Sequence, residues 1–340
     1  MENTGEDIDV VVMWVDGSDP HHLAKRRYFL TEEAEDKRPD VGGVTRFANV
    51  GEIEFCIASI HRFAPFIHKI WIITDDQDPH VDKVMAKHFD KLIPMEIVDH
   101  RVIFRGYEEY LPTFNARSLE TLMWRIPGLS ERFILMNDDF FLTAPVQPED
   151  FFRGEKTVSY TSWYNTFMGK ILRRIKPRKH GHQPVGFKDS MLNALEIMGG
   201  GYRFIKLTHT PRALRRSFYE EFYGSACDDP GPVLKHQDVV LRNICHRFRH
   251  AEQFNSQELF YLNEARAGRL ILCPPGKKVL YMKPRFAYRY VEKKLESFQA
   301  NDEAVFGCIN SLDSASYKDQ QKVLDWLRQH IYGNEAVRNV

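Results

Sequence analysis

Three acidic segments of this chain follow apolar, β-branched runs. Ile8 to Val15 leads into Asp16-Gly17-Ser18-Asp19-Pro20, Lys69 to Thr74 into Asp75-Asp76-Gln77-Asp78-Pro79, and Arg132 to Met136 into Asn137-Asp138-Asp139. Carboxylates just past strand ends suit a hard divalent cation, which takes oxygen ligands from one or two side chains and fills its shell with phosphate oxygens. Asp138 and Asp139 are the first candidates, and Asp16 and Asp75 the next. Any one of these residues also fits a helix cap or an Asx turn. Caps alone, however, do not require acidic turns to gather on one edge.

For such carboxylates to meet, the apolar runs must be neighbouring strands. Between the runs, Val50 to Phe63 and Asn115 to Trp124 repeat apolar residues at three- and four-residue spacing, the signature of amphipathic helices. Strands alternating with helices predict an α/β fold, a Rossmann-like, doubly wound and mainly parallel sheet. Ligands in such sheets bind beyond the carboxyl ends of the strands. Residues 1–150 are the expected core, and residues 151–340 an irregular helical second lobe that completes the site. In that lobe helices are expected at Asp189 to Met198, Arg212 to Tyr223 and Asp238 to His246, with a closing amphipathic helix after Ser314.

Composition excludes some functions. Lys plus Arg and Asp plus Glu each total 47, so a net charge of zero gives no reason to expect a nucleic-acid partner. Five Cys without a C-x-x-C pair argue for free thiols in a reducing compartment rather than a disulfide framework. No basic-then-apolar leader opens the chain, and no run nears the ~20 apolar residues of a membrane span. A cytoplasmic chain is expected, with contact at the membrane surface or a capsule-building complex left open. The stretch Lys170 to Lys179 holds six Lys or Arg; a solvated loop, an anionic acceptor site and a lipid-facing patch all fit it. Trp163, Tyr164 and Phe167 just before it suit either core packing or stacking on sugar rings.

Several of these segments also resemble one family. IDVVVMWVDGSDP at 8–20, Arg46-Phe47 with Glu52-Ile53, SIHRFAPFIHKIWIITDDQDP at 59–79 and TFNARSLETLMWRIPGLSERFILMNDDFFL at 113–142 resemble the signatures of the Stealth family of sugar-phosphate transferases. His209-Thr210-Pro211 and His236-Gln237-Asp238 are similar to its later blocks, so the likeness runs over about residues 7–250. That family includes bacterial capsular polysaccharide phosphotransferases and the catalytic part of the lysosomal-enzyme N-acetylglucosamine-1-phosphotransferase. The resemblance implies a nucleotide-sugar donor and Mg²⁺ or Mn²⁺ surrounded by Asp16, Asp75, Asn115, Asp138, Asp139, His209 and Asp238. Four positions depart from the pattern. Ala58 stands where the family has Arg, Asp76 where it has a small residue, and Lys235 and His236 where the last block has Arg.

The activity so implied is transfer of a sugar 1-phosphate, with uridine diphosphate N-acetylglucosamine the expected donor. The acceptor is a carbohydrate hydroxyl of an oligo- or polysaccharide, the product a phosphodiester in capsular polysaccharide, and the by-product a nucleoside monophosphate. Asp138, Asp139 and Asp16 are the expected metal ligands. His209 is the first candidate for general base and Asp16 the second, with Asp139 and Asn115 completing the catalytic set. Expected substrate contacts are Trp14, Gly17, Arg46, Asp75, Arg117, Glu120, Lys235, His236 and Asp238. Each residue also has a plainer reading: His209 as a structural histidine before proline, Asn115 as a helix N-cap. A metal-dependent glycosyltransferase and a non-catalytic carbohydrate-binding subunit are the rival functions. No G-x-S-x-G turn favours a covalent-nucleophile hydrolase.

Overall fold

The computed structural model describes residues 7–33, 49–166, 186–224, 237–284 and 289–333. Four parallel strands form the centre: β1 (Ile8–Met13), β2 (Lys69–Thr74), β3 (Met95–Asp99) and β4 (Arg132–Asn137). After the Asp138-Asp139 turn the chain continues as β5 (Phe140–Leu142). The later segment β6 (Arg212–Arg215) adds an antiparallel edge, giving the order β6-β4-β1-β2-β3. The expected Rossmann-like, parallel-rich α/β sheet is therefore present.

Position in the sheet explains the sequence pattern. Strands β1 and β4 are flanked on both sides and covered on both faces, which is why they read as continuous apolar runs rather than alternating ones. Val10 and Val12 join one core cluster while Val11, between them, joins the other, as the two-residue period of a strand requires. Met13 lies opposite both Ile73 and Asn137, so β1, β2 and β4 end in step and release Asp16, Asp75 and Asp138 along one edge.

The helices include α1 (Pro20–Glu33), α2 (Glu52–Phe63), α3 (Ala116–Leu122), α4 (Gln237–Ile244), α5 (Ser256–Arg266) and α6 (Tyr317–Tyr332), with others at Asp82–His88, His100–Ile103, Phe187–Ile197, Arg216–Tyr223 and Tyr290–Gln299. The helix expected from Arg212 begins only at Arg216, because Arg212 to Arg215 are the edge strand. Ala213 and Leu214 point to opposite core clusters, a strand's alternation that four residues are too few to announce.

The C-terminal part returns to the core. β7 (Val279–Met282) pairs with β8 (Phe306–Ile309), and β8 lies antiparallel to β5. Helix α6, capped by Ser316, packs on α2 as the expected closing helix. Cys56, Cys245, Cys273 and Cys308 are free thiols. Among the described residues no helix is long and apolar enough to cross a membrane. Arg46, Lys235, His236, Phe167 and the basic stretch 170–179 lie outside the described residues.

Candidate active site

The turn between β4 and β5 holds Asp138 and Asp139 half-buried at the centre of the sheet edge. Asp139 Oδ2 accepts hydrogen bonds from Asn310 Nδ2 at 3.2 Å and Cys308 Sγ at 3.5 Å. Its Oδ1 is buried with no hydrogen-bond partner among the described residues. Glu52, in the first turn of α2, lies close enough to add its negative charge to both. Burial, reinforced by the neighbouring carboxylates Asp139 and Glu52, pushes Asp138 well above the ordinary carboxylate range. Burial likewise raises Asp139, with Asn310, Cys308 and Arg212 pulling the other way. Glu52 is raised by burial and by Asp139 and Asp313. Carboxylates gathered in this way, one with an oxygen left unpaired, fit a hard divalent cation.

Beside them stands His209. Its ring stacks on Tyr281 with centroids 4.7 Å apart and meets Phe140, the residue after Asp139, edge-on at 6.4 Å. Burial lowers its pKa to about 4, helped by the charges of Arg212 and Lys283. Arg212 donates to Gln257 Oε1 at 3.2 Å, stands 4.0 Å from Glu120 Oε1 and lies over the Phe140 ring. Asp139, Glu120 and His209, from three separate stretches of the chain, thus converge on Arg212.

The ends of β1 and β2 form a neighbouring group. Asp16 Oδ1 accepts from Ser18 N at 2.8 Å and Ser18 Oγ at 2.6 Å. Asp16 N–H donates to Gln77 Oε1 and Gln77 Nε2 donates back to Asp16 O, which clamps the two turns together. Asp75 pairs with Lys25 of α1 at 3.2 Å. The indole Nε1 of Trp14 is buried with no hydrogen-bond partner among the described residues, and Gly17, three residues on, is buried as well. Asp16, Asp138 and Asp139 do not have their carboxylate oxygens all within 4.8 Å of one another. Among the described residues, the group of three metal-capable side chains whose ligand atoms lie within 4.8 Å of one another is His246, His250 and Glu252. Asp16 instead serves its own turn.

Two further expectations change. Asn115 caps α3, accepting from Arg117 N, while its amide donates to His246 O at 3.2 Å and Phe248 O at 2.9 Å. Both polar atoms are occupied and the residue is buried, so it anchors a loop rather than facing a substrate. Arg117 is buried too, with guanidinium donors on His250 O and Gly186 O, and burial lowers its pKa to about 10. Asp238 is exposed in the first turn of α4. Asp76 adopts the left-handed conformation (φ 57°), which an Asp tolerates better than most residues, and its N–H is held by Asp99 Oδ2. Ala58 is fully buried in the core.

Residues 6–33 match the family model "Stealth protein CR1, conserved region 1", and residues 46–160 match "Stealth protein CR2, conserved region 2". The chain belongs to the Stealth family. The first Stealth region contributes β1 and α1, and the second contributes Glu52, Asp75, Glu120, Asp138 and Asp139. His209, Arg212, Tyr281 and Asn310 come from beyond both regions.

Named Stealth relatives include the receptor polysaccharide phosphotransferase WefC of Streptococcus oralis, 34% identical over 51% of this chain and 47% of its own length. The exopolysaccharide phosphotransferase cps2G of Lactiplantibacillus plantarum is 35% identical over 63% of this chain and 66% of its own. The exopolysaccharide phosphotransferase SCO2594 of Streptomyces coelicolor is 27% identical over 90% of this chain and 47% of its own. The chain therefore spans about half to two thirds of these relatives' length. Among solved structures, galactosyltransferase LgtC in complex with donor and acceptor sugar analogs is similar at a TM-score of 0.41 and 8% identity, over 88% of this chain and 86% of LgtC.

Proposed function

We propose that this chain transfers a sugar 1-phosphate from a nucleotide sugar to a carbohydrate hydroxyl, building a phosphodiester in a capsular or exopolysaccharide. The observation that carries the reading is the half-buried acid pair Asp138 and Asp139, with the inner oxygen of Asp139 unpaired, beside His209. Stealth relatives named as polysaccharide phosphotransferases support it.

Phosphoryl transfer asks the protein to align nucleophile with leaving group and to offset charge. Asp138 and Asp139 would hold Mg²⁺ or Mn²⁺, which when bound neutralises charge on the donor's diphosphate. His209, neutral at physiological pH, accepts the proton of the acceptor hydroxyl as its oxygen attacks the sugar-bearing phosphorus. Burial holds the imidazole pKa down at about 4, and an anionic donor bound next to it would raise it toward the range of an effective base. The bond between the two phosphates breaks, the nucleoside monophosphate departs, and the anomeric carbon keeps its oxygen. Tyr281 holds the imidazole plane, and Arg212, fixed by Glu120 and Gln257, contributes positive charge beside Asp139. The turns around Asp16, Gly17 and Asp75, clamped together through Gln77, would contact the donor.

Uridine diphosphate N-acetylglucosamine is the proposed donor. The test is incubation with a panel of nucleotide sugars, Mg²⁺ and oligosaccharide acceptors, followed by mass and ³¹P analysis. A product with phosphorus in the new linkage supports the proposal, whereas a phosphorus-free glycoside supports glycosyl transfer instead.

A further inference from the structure

We infer that the loop between α4 and α5 carries a separate transition-metal site, formed by His246, His250 and Glu252 and suited to Zn²⁺. His246 Nε2 lies 3.8 Å and His250 Nδ1 4.0 Å from Glu252 Oε2, so both rings turn a nitrogen toward one carboxylate oxygen. The two imidazoles stack with centroids 3.8 Å apart and planes 14° from parallel. Two imidazoles and a carboxylate are the donors preferred by Zn²⁺ and its first-row neighbours, whereas Mg²⁺ and Ca²⁺ favour oxygen alone.

The backbone beneath the ligands is already fixed. Asn115 Nδ2 holds His246 O and Phe248 O, Arg117 Nη1 holds His250 O, and His250 N–H donates to Gln253 Oε1 at 3.0 Å. His250 Nδ1 presently accepts only a long contact from Glu252 N–H at 3.3 Å. Zinc bonds of about 2.0–2.2 Å require ligand atoms about 3.3 Å apart. The side chains of His250 and Glu252 are 45% and 62% exposed, free enough to close that difference by rotation. Between the ligands, Phe248 stacks on Phe114 at 5.1 Å in a cluster that includes Val15 and Phe29. A cation on this loop therefore fastens it against α1 and the turn leaving β1. The site's donors are all distinct from Asp138 and Asp139, so it stands whether or not the proposed transfer reaction does.

The test is calorimetric titration of the chelator-treated full chain with ZnCl₂ in excess Mg²⁺, together with thermal melts. Expected are one equivalent of Zn²⁺ bound, a higher melting temperature, and binding unchanged in Asp138→Asn. His250→Ala and Glu252→Gln each weaken Zn²⁺ at least about tenfold while their metal-free melts match the parent. Absence of stoichiometric Zn²⁺ binding overturns the inference, as does binding that survives both loop variants or disappears with Asp138→Asn.

Discussion

Asn310 donates its side-chain amide to Asp139 Oδ2 at 3.2 Å, tying the turn after β4 to a residue 171 positions further along the chain. This hydrogen bond favours the ionised carboxylate against a burial that favours the neutral one. Removing it with Asn310→Ala therefore raises the Asp139 pKa further. Metal binding needs the carboxylate, so activity falls as pH falls through that pKa. The acid limb of the kcat/KM profile is expected to move to higher pH by about 0.5–1 unit, since one hydrogen bond is worth roughly 1 kcal/mol. An unmoved limb would show that Asp139 ionisation does not control the reaction.

Asp138→Asn separates function from stability. Loss of the proposed metal-binding carboxylate is expected to lower transfer by about 10²-fold or more. Stability should change the other way. The folded-state pKa of Asp138 lies above its unfolded value, so its favourable contribution is complete below about 3.8 and is lost as pH rises through the folded pKa. At pH 7 without metal, holding this carboxyl in its desolvated place costs free energy that the neutral Asn does not, and the melting temperature is expected to rise. A fall in melting temperature would mean that Asp138 is well compensated in the metal-free protein.

The strand-end acids were legible because β1, β2 and β4 are buried on both faces and announce themselves as apolar runs. Helix α2 and the closing helix α6 were equally plain from their spacing. What sequence could not show was the company these acids keep. Glu52 stands 86 residues before Asp138, and Asn310 and Cys308 arrive on β8 and the turn after it. Arg212 was hidden in a segment whose first four residues, read as helix, are an edge strand. Asn115 and Arg117 carried the right chemistry for a substrate contact, but their partners are distant backbone carbonyls, those of His246, Phe248 and His250 in one loop and of Gly186 in another segment.

Asp9 gives a stability prediction away from the site. It is fully buried in β1 and takes His68 Nδ1 at 2.9 Å, Trp71 Nε1 at 2.8 Å and Ser130 N at 2.9 Å. Asp9→Ala leaves the buried Trp71 Nε1 and Ser130 N–H without their acceptor and is expected to cost about 2–4 kcal/mol in chemical denaturation, at about 1–3 kcal/mol for each stranded group. A cost below about 1 kcal/mol, the range of an exposed pair, would show that the network adds little.

Buried histidines set the acid limit of the fold. Burial lowers His61, His100 and His209 to about 4, below the unfolded value of about 6.5. A base with a depressed folded pKa contributes stability that is complete above 6.5 and is lost as pH falls toward 4. Melting temperature is expected to decline over that window, and less steeply in His61→Phe, which removes an imidazole outside the site. An equal slope in the variant would exclude His61 as a contributor.

The most direct test of the reaction follows one oxygen atom. A donor carrying ¹⁸O between the anomeric carbon and the adjacent phosphorus is supplied with Mg²⁺ and acceptor, and the products are analysed by mass and by the ³¹P isotope shift. Sugar 1-phosphate transfer keeps the label in the new phosphodiester and releases an unlabelled nucleoside monophosphate. Label departing with a nucleoside diphosphate would contradict the proposed chemistry outright.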